Sequence, residues 1–103
     1  MQTIYLKKFG NVLVSRPAGL EAFKAIRQTL DPREPIQINF EDTFTITPGW
    51  FDEFLTNLTE YAEGDVVLLP TKNASVLASL PVLITGRHDK FAEVVKRFLE
   101  SNK

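Results

Sequence analysis

The sequence of 103 residues contains no cysteine, which excludes disulfide bonds, thiol catalysis and cysteine-ligated metals. It contains a single histidine, His88, so a metal site built from several histidines is excluded as well. His88 stands beside Asp89 and Lys90 at an expected helix start, a setting more typical of an exposed residue than of a catalytic one. We therefore predict no bound metal and no cofactor.

The chain also lacks an excess of basic residues and lacks long apolar runs. Lys and Arg number 12 against 13 Asp and Glu, a formal net charge of -1, which predicts binding neither to nucleic acid nor to an anionic membrane surface. No apolar run approaches the roughly 20 residues needed to cross a bilayer. The start at Met1–Ile4 lacks the basic and apolar parts of a signal peptide, so the expected location is cytoplasmic.

Sequence motifs of the common enzyme classes are missing too. We find no glycine-rich dinucleotide or phosphate loop, no G-x-S-x-G and no H-E-x-x-H. The neighbouring carboxylates Glu41, Asp42, Asp52 and Glu53 are interpreted as turn and helix-dipole residues instead of an acid–base pair. The sequence therefore predicts a protein that is not an enzyme.

What the sequence does contain is the pattern of one folded domain spanning residues 1–103. The hydrophobic fraction is 44%, with eight Phe, which is typical of a globular core. At the N-terminus, residues 3–6 and 12–14 are expected to be strands. The turn residues Phe9-Gly10-Asn11 between them predict an N-terminal hairpin.

Helix signals follow. Ser15 or a neighbour is expected to cap the first helix, Thr47 the second and Asp89 the last, with Pro48 at the first position of the second helix. Apolar residues recur at steps of three and four: Leu20, Phe23, Ile26 and Leu30; Phe51, Phe54, Leu55, Leu58 and Tyr61; Phe91, Val94, Val95, Phe98 and Leu99. These stripes predict amphipathic helices.

Strands are expected between the helices. Residues 36–40 alternate between apolar and polar, and the apolar period resumes at Phe44 and Ile46. The continuous apolar run of residues 66–69 predicts a strand covered on both faces. The sequence thus predicts an α/β fold in which a mixed, mostly parallel sheet of about four to five strands packs with about four helices.

One segment allows two interpretations. Asn73 can cap a short helix that ends before Pro81, and residues 82–85 would then form one more strand. Alternatively the helix continues past a proline kink. We favour the strand.

The candidate site is the strand-to-helix transition within residues 36–54. Thr45 and Thr47 place two hydroxyls beside free backbone N–H groups at a helix N-terminus, which suits an anion or a phosphorylated hydroxyl, with simple capping as the alternative. Arg16 could guide a phosphate or a carboxylate of a partner. Trp50 is interpreted as an aromatic anchor for a partner or, alternatively, as a residue half-buried against the sheet edge.

The segments Ser15-Arg16, Ile38-Asn39-Phe40 and residues 44–51 carry a family resemblance. They resemble the STAS fold of bacterial anti-sigma-factor antagonists and of anion-transporter domains, and more closely the STAS-like domain of unknown function found in small bacterial proteins. The resemblance implies a bacterial regulatory domain whose protein partner is a kinase-like ATPase or a transcription-control protein.

In the antagonists a serine before the second helix is phosphorylated, within Asp-Ser-Ser-Gly. The resemblance places Thr47 on that Asp and Pro48 on the first Ser, so the phosphorylated position does not carry over. Thr47 and Thr45 remain the candidate phosphorylation sites.

These observations lead to one hypothesis and one alternative. The predicted partner-binding residues are Arg16, Thr45, Thr47, Trp50 and Asp52. The alternative is a module that binds a nucleotide or another anion at the same helix N-terminus. Homodimer formation through a sheet edge or a helix face is left open.

Overall fold

The computed structural model of the protein describes residues 1–102, which contain five strands and four α-helices. The strands are β1 (Gln2–Tyr5), β2 (Val12–Leu13), β3 (Ile36–Asn39), β4 (Thr45–Ile46) and β5 (Val66–Leu68). The α-helices are α1 (Arg16–Arg27), α2 (Pro48–Tyr61), α3 (Ala74–Leu83) and α4 (Lys90–Ser101), and a short 3₁₀ helix occupies Leu6–Phe9.

The strands form two small sheets, and every strand pair within residues 1–102 is parallel. One sheet has the order β1-β3-β5, and the other pairs β2 with β4. Helices α1 and α2 connect successive parallel strands, as parallel pairing requires. The predicted α/β class, with a mostly parallel arrangement of five strands and four helices, is confirmed.

The predicted N-terminal hairpin is wrong. β1 pairs with β3 and β2 pairs with β4, so the two N-terminal strands lie in different sheets. The segment between them is held in the core, because Leu6 is fully buried and Phe9 packs its ring against the ring of Phe54 at 5.7 Å between centroids. An exposed hairpin tip would leave both side chains in water.

Helices cover only one face of the three-stranded sheet. Ile4, Ile38 and Leu68 stand in register and are all buried. On the opposite face Tyr5 and Val67 are each 45% exposed. The expectation that residues 66–69 form a strand covered on both faces is therefore wrong, and the apolar run includes one residue that faces water.

Three of the four α-helix starts in residues 1–102 follow the sequence signals closely, and the exception is α2, where the Thr47 side chain makes no capping hydrogen bond. The side chain of Ser15 accepts a hydrogen bond from the backbone N–H of Ala18, and that of Asp89 accepts one from the N–H of Ala92. Asn73 caps α3 in the same way, through the N–H groups of Ser75 and Val76. Each of these caps satisfies N–H groups that have no partner inside the helix.

The favoured strand at residues 82–85 is wrong, and the alternative of a helix continuing past Pro81 is correct. Pro81 lies inside α3, whose last residue is Leu83. Leu80 is fully buried, while Leu83 and Ile84 pack against the core, so the helical spacing of these side chains outweighs the cost of the proline. The hydroxyl of Thr85 also donates to the Pro81 carbonyl at 3.2 Å.

Candidate functional site

Two parallel strands end side by side, and a helix begins directly after each of them. β2 and β4 pair through Leu13 and Ile46, and the backbone N–H of Thr47 donates to the Leu13 carbonyl at 2.9 Å. α1 begins three residues after Leu13, and α2 begins two residues after Ile46. The N-termini of both helices therefore lie at the carboxyl ends of parallel strands, where α/β folds commonly place binding sites.

An ion pair joins these two helix starts. The guanidinium of Arg16 donates to the Asp52 carboxylate at 2.7 Å and lies 3.6 Å from the Glu53 carboxylate. The structure therefore brings together two of the residues predicted for the site, Arg16 and Asp52. Because the Arg16 donors already face these carboxylates, the pair fixes one helix start against the other.

Arg87 extends this network and was missed by the sequence reasoning. Its guanidinium donates to Asp52 at 2.9 Å, to the Thr56 hydroxyl at 3.1 Å and to Asp89 at 2.6 Å. The same group stacks over the Phe91 ring, 4.0 Å from its centroid. The only local signal was an arginine two residues before a capping aspartate, which does not reveal contacts to α2.

Two carboxylates of the network, Asp52 and Asp89, are kept ionised. Partial burial raises the pKa of Asp52, but hydrogen bonds from Arg16, Arg87 and Thr56 outweigh it, so the pKa lies below its ordinary value. The hydrogen bond from Arg87 likewise lowers the pKa of Asp89, against a smaller effect of burial. A low carboxyl pKa suits a structural ion pair, and it is the opposite of what a general acid needs.

Trp50 is a core residue. It is 1% exposed, and its ring stacks on that of Phe54 with 4.8 Å between centroids and 18° between planes. The ring of Phe9 lies 6.1 Å from that of Trp50 and 5.7 Å from that of Phe54. The interpretation of Trp50 as an aromatic anchor at the surface is therefore wrong. Its alternative, a half-buried residue, understates the burial.

The two threonines predicted for the site differ in their surroundings. Thr45 lies in β4 with its side chain exposed, and its backbone N–H donates to the Asn11 carbonyl at 3.2 Å. Thr47 occupies the N-cap position of α2 but makes no capping hydrogen bond with its side chain. Its half-buried hydroxyl is 3.5 Å from the Leu13 carbonyl. Thr45 therefore presents the more accessible of the two hydroxyls.

Exposed apolar side chains lie next to these threonines along β2 and at the start of β4. Val12 is 56% exposed, Val14 46% and Phe44 69%. Val12 is in register with Thr45, and the backbone N–H of Phe44 donates to the Asn11 carbonyl at 2.9 Å. We call Val12, Val14, Phe44, Thr45 and Thr47 the docking surface. The period of two in Val12-Leu13-Val14, with Leu13 buried, was the signal that could have identified it.

The described residues contain neither a metal-binding cluster nor a membrane-spanning helix. In the part of the chain that the structure describes, no three His, Asp or Glu side chains are grouped so that they could hold a metal ion. None of the helices within residues 1–102 has the length and apolar character to cross a bilayer.

Comparisons with protein-family models, curated proteins and solved structures found no match to this chain. The STAS-like resemblance therefore stays a prediction from the sequence.

Proposed function

We propose that this chain is a non-enzymatic regulatory domain that binds another protein through the docking surface. The observation that carries this proposal is the exposure of Val12, Val14 and Phe44 in one small area. Apolar side chains grouped at a surface gain free energy when a partner removes them from water, at about 25 cal/mol per Å² of apolar surface. The surrounding Thr45 and Thr47 supply the polar groups that usually border such a contact.

The charges around the docking surface support a protein partner over a small anion. The donors of Arg16 face Asp52 and Glu53, and Arg87 is shared between Asp52 and Asp89. A nucleotide phosphate at the start of α2 would have to displace these carboxylates or accept their repulsion. These charges therefore disfavour the nucleotide or anion alternative.

The kind of partner comes from the sequence resemblance. A STAS-like regulatory domain implies a kinase-like ATPase or a transcription-control protein in the bacterial cytoplasm. Thr45 is the candidate phosphorylation site that fits this role, because its exposed hydroxyl lies in register with Val12. A phosphate there would add about two negative charges beside an apolar contact and would oppose docking.

Affinity capture with matched variants tests the proposal. Phe44→Ser and Val12→Ser each remove apolar surface from the docking surface, while Val82→Ser does the same on α3 from a side chain that is also 69% exposed. We expect the native chain and Val82→Ser to retain the same partner from cells, and the other two variants to lose it with little change in thermal melting. Retention of that partner by all four proteins would rule out this surface.

A further inference from the structure

β2 is paired along one side only. The backbone N–H groups of Thr45 and Thr47 donate to the carbonyls of Asn11 and Leu13, at 3.2 and 2.9 Å. Successive residues of a strand direct their backbone groups to opposite sides, so the N–H and C=O of Val12 and Val14 point away from β4. Within residues 1–102 no further strand lies beside β2 to accept them. These four backbone groups are therefore placed to pair with another extended chain.

A groove runs beside this free side of β2. Its volume is about 410 Å³. β2 forms one wall, and Ala18 and Ala22 of α1 form the other, where their short side chains leave room. Phe9 and Trp50 also line it, which makes its interior largely apolar, and Glu21 adds one carboxylate to the lining. A side chain from an adjacent strand would enter this groove while the next one faced water.

We infer that β2 receives an extended segment of the partner protein as an added strand, with an apolar side chain of that segment in the groove. This inference rests on the proposed function, because it specifies how the partner engages the docking surface. Strand addition supplies affinity through backbone hydrogen bonds and specificity through pockets for alternate side chains. β2 offers both in one place.

The other strand edges in the described part of the chain differ from that of β2. On the far side of β4 the backbone N–H of Ile46 donates to the Ser75 hydroxyl at 3.1 Å. The outer edge of β5 is also unpaired, but the cavity beside it is smaller, about 270 Å³, and Arg97 forms part of its lining. At β1 the ammonium of Lys7 lies 5.7 Å from the Tyr5 ring centroid, which places a charge near that edge and discourages pairing. β2 combines a free edge with the larger groove of about 410 Å³.

A partner segment suits this edge better than a second copy of the chain. β2 has two residues, so a two-fold pairing would join only two residues of each copy, few for an interface that typically buries roughly 800 Å² per partner. A flexible segment can instead follow β2 and also fill the groove beside it. The partner chemistry we assign is therefore an extended peptide segment with apolar residues at alternate positions.

The test uses a phage-displayed library of linear dodecapeptides selected on the full chain. Val12→Pro removes the outward N–H while leaving the hydrogen bonds to β4 in place, and Val12→Thr is its matched control with an intact backbone. We expect selected peptides with alternating apolar residues to bind the native chain and Val12→Thr alike, and to bind Val12→Pro at least tenfold more weakly. Hydrogen exchange of the Val12 and Val14 amides should slow when peptide is added to the native chain.

Several results would overturn the inference. Equal binding to Val12→Pro, unchanged exchange of both amides, or no enriched peptide would each exclude strand addition at β2. A dimer in light scattering that disappears in Val12→Pro would show that a second copy occupies the edge. Loss of a native partner from Phe44→Ser but not from Val12→Pro would reject strand addition and leave the proposed function intact. Because the exchange measurement needs no variant, it decides the question even if Val12→Pro fails to fold.

Discussion

Gly19 of α1 lies against the backbone of Trp50 in α2, so closely that a β-carbon on Gly19 would overlap the Trp50 carbonyl oxygen. This contact allows the starts of the two helices to approach each other. The approach in turn places Arg16 within hydrogen-bonding distance of Asp52. A glycine that sequence reasoning passes over as a weak helix former is thus the residue that positions the candidate site.

Gly19→Ala should therefore destabilise the protein despite the better helix propensity of alanine. The overlap is with backbone, so no change of rotamer relieves it, and overpacking costs about 1–3 kcal/mol against a gain of at most about 1 kcal/mol in propensity. Gly49→Ala is the matched control, because its new β-carbon would come within 3.0 Å of the Arg16 side chain but no nearer than 3.7 Å to the Arg16 backbone, an ordinary contact. Urea unfolding of both variants measures the difference, and equal stability of the two would contradict the close helix contact.

Trp50 is the only tryptophan, which makes its burial directly measurable. A side chain packed against Phe9 and Phe54 should emit at short wavelength, resist quenching by acrylamide and shift to longer wavelength on unfolding. Phe44→Trp adds a second indole at a position that is 69% exposed, so that variant should gain a fraction that acrylamide quenches. Strong quenching of the native protein would show that Trp50 lies at the surface.

Local features of the fold were predictable because each depends on a few neighbouring residues. Ser15, Asn73 and Asp89 cap their helices as the sequence indicates, since a short polar side chain before an apolar stripe meets the free N–H groups of the first turn. The apolar stripe of α4 supplies buried residues such as Phe91 and Phe98 for the same local reason.

Long-range features were not predictable from the same signals. The hairpin interpretation failed because pairing of β1 with β3 brings Tyr5 opposite Asn39, a choice made by the whole core and not by the turn at Gly10. Trp50 has the same local pattern whether its ring faces a partner or Phe54. Arg87 joins Asp52 across 35 positions, and no sequence period encodes that contact.

Arg87→Ala should destabilise the protein by about 1–2 kcal/mol, because it removes the stacking on Phe91 together with ion pairs to Asp52 and Asp89. Arg33→Ala is the comparison, since Arg33 pairs with its near neighbour Asp31 at the exposed surface and its loss should change stability far less. Chemical denaturation measures both variants.

Arg87→Lys separates charge from geometry in the same contact. Lysine keeps the positive charge but cannot donate to Asp52, Asp89 and the Thr56 hydroxyl at once, nor stack its head group as a plane on Phe91. Arg87→Lys should therefore lose most of the stability that Arg87→Ala loses. An Arg87→Lys protein as stable as the native one would show that the positive charge alone accounts for the stabilisation.

Acid should weaken the protein through Asp52 and Asp89. Hydrogen bonds from arginines hold the pKa of both carboxyls below the ordinary 3.8 in the folded state, so the unfolded chain takes up protons first as the pH falls. Their contribution to stability is then complete above about pH 5 and is lost as the pH falls through 3.8 towards the folded pKa. Asp89→Asn keeps a capping side chain but removes one titrating group, and should reduce this loss. The free energy of unfolding of both proteins is measured across that pH range, and the difference between the native protein and Asp89→Asn should shrink at the acid end. A difference that stays constant with pH would exclude Asp89 as a source of the acid sensitivity.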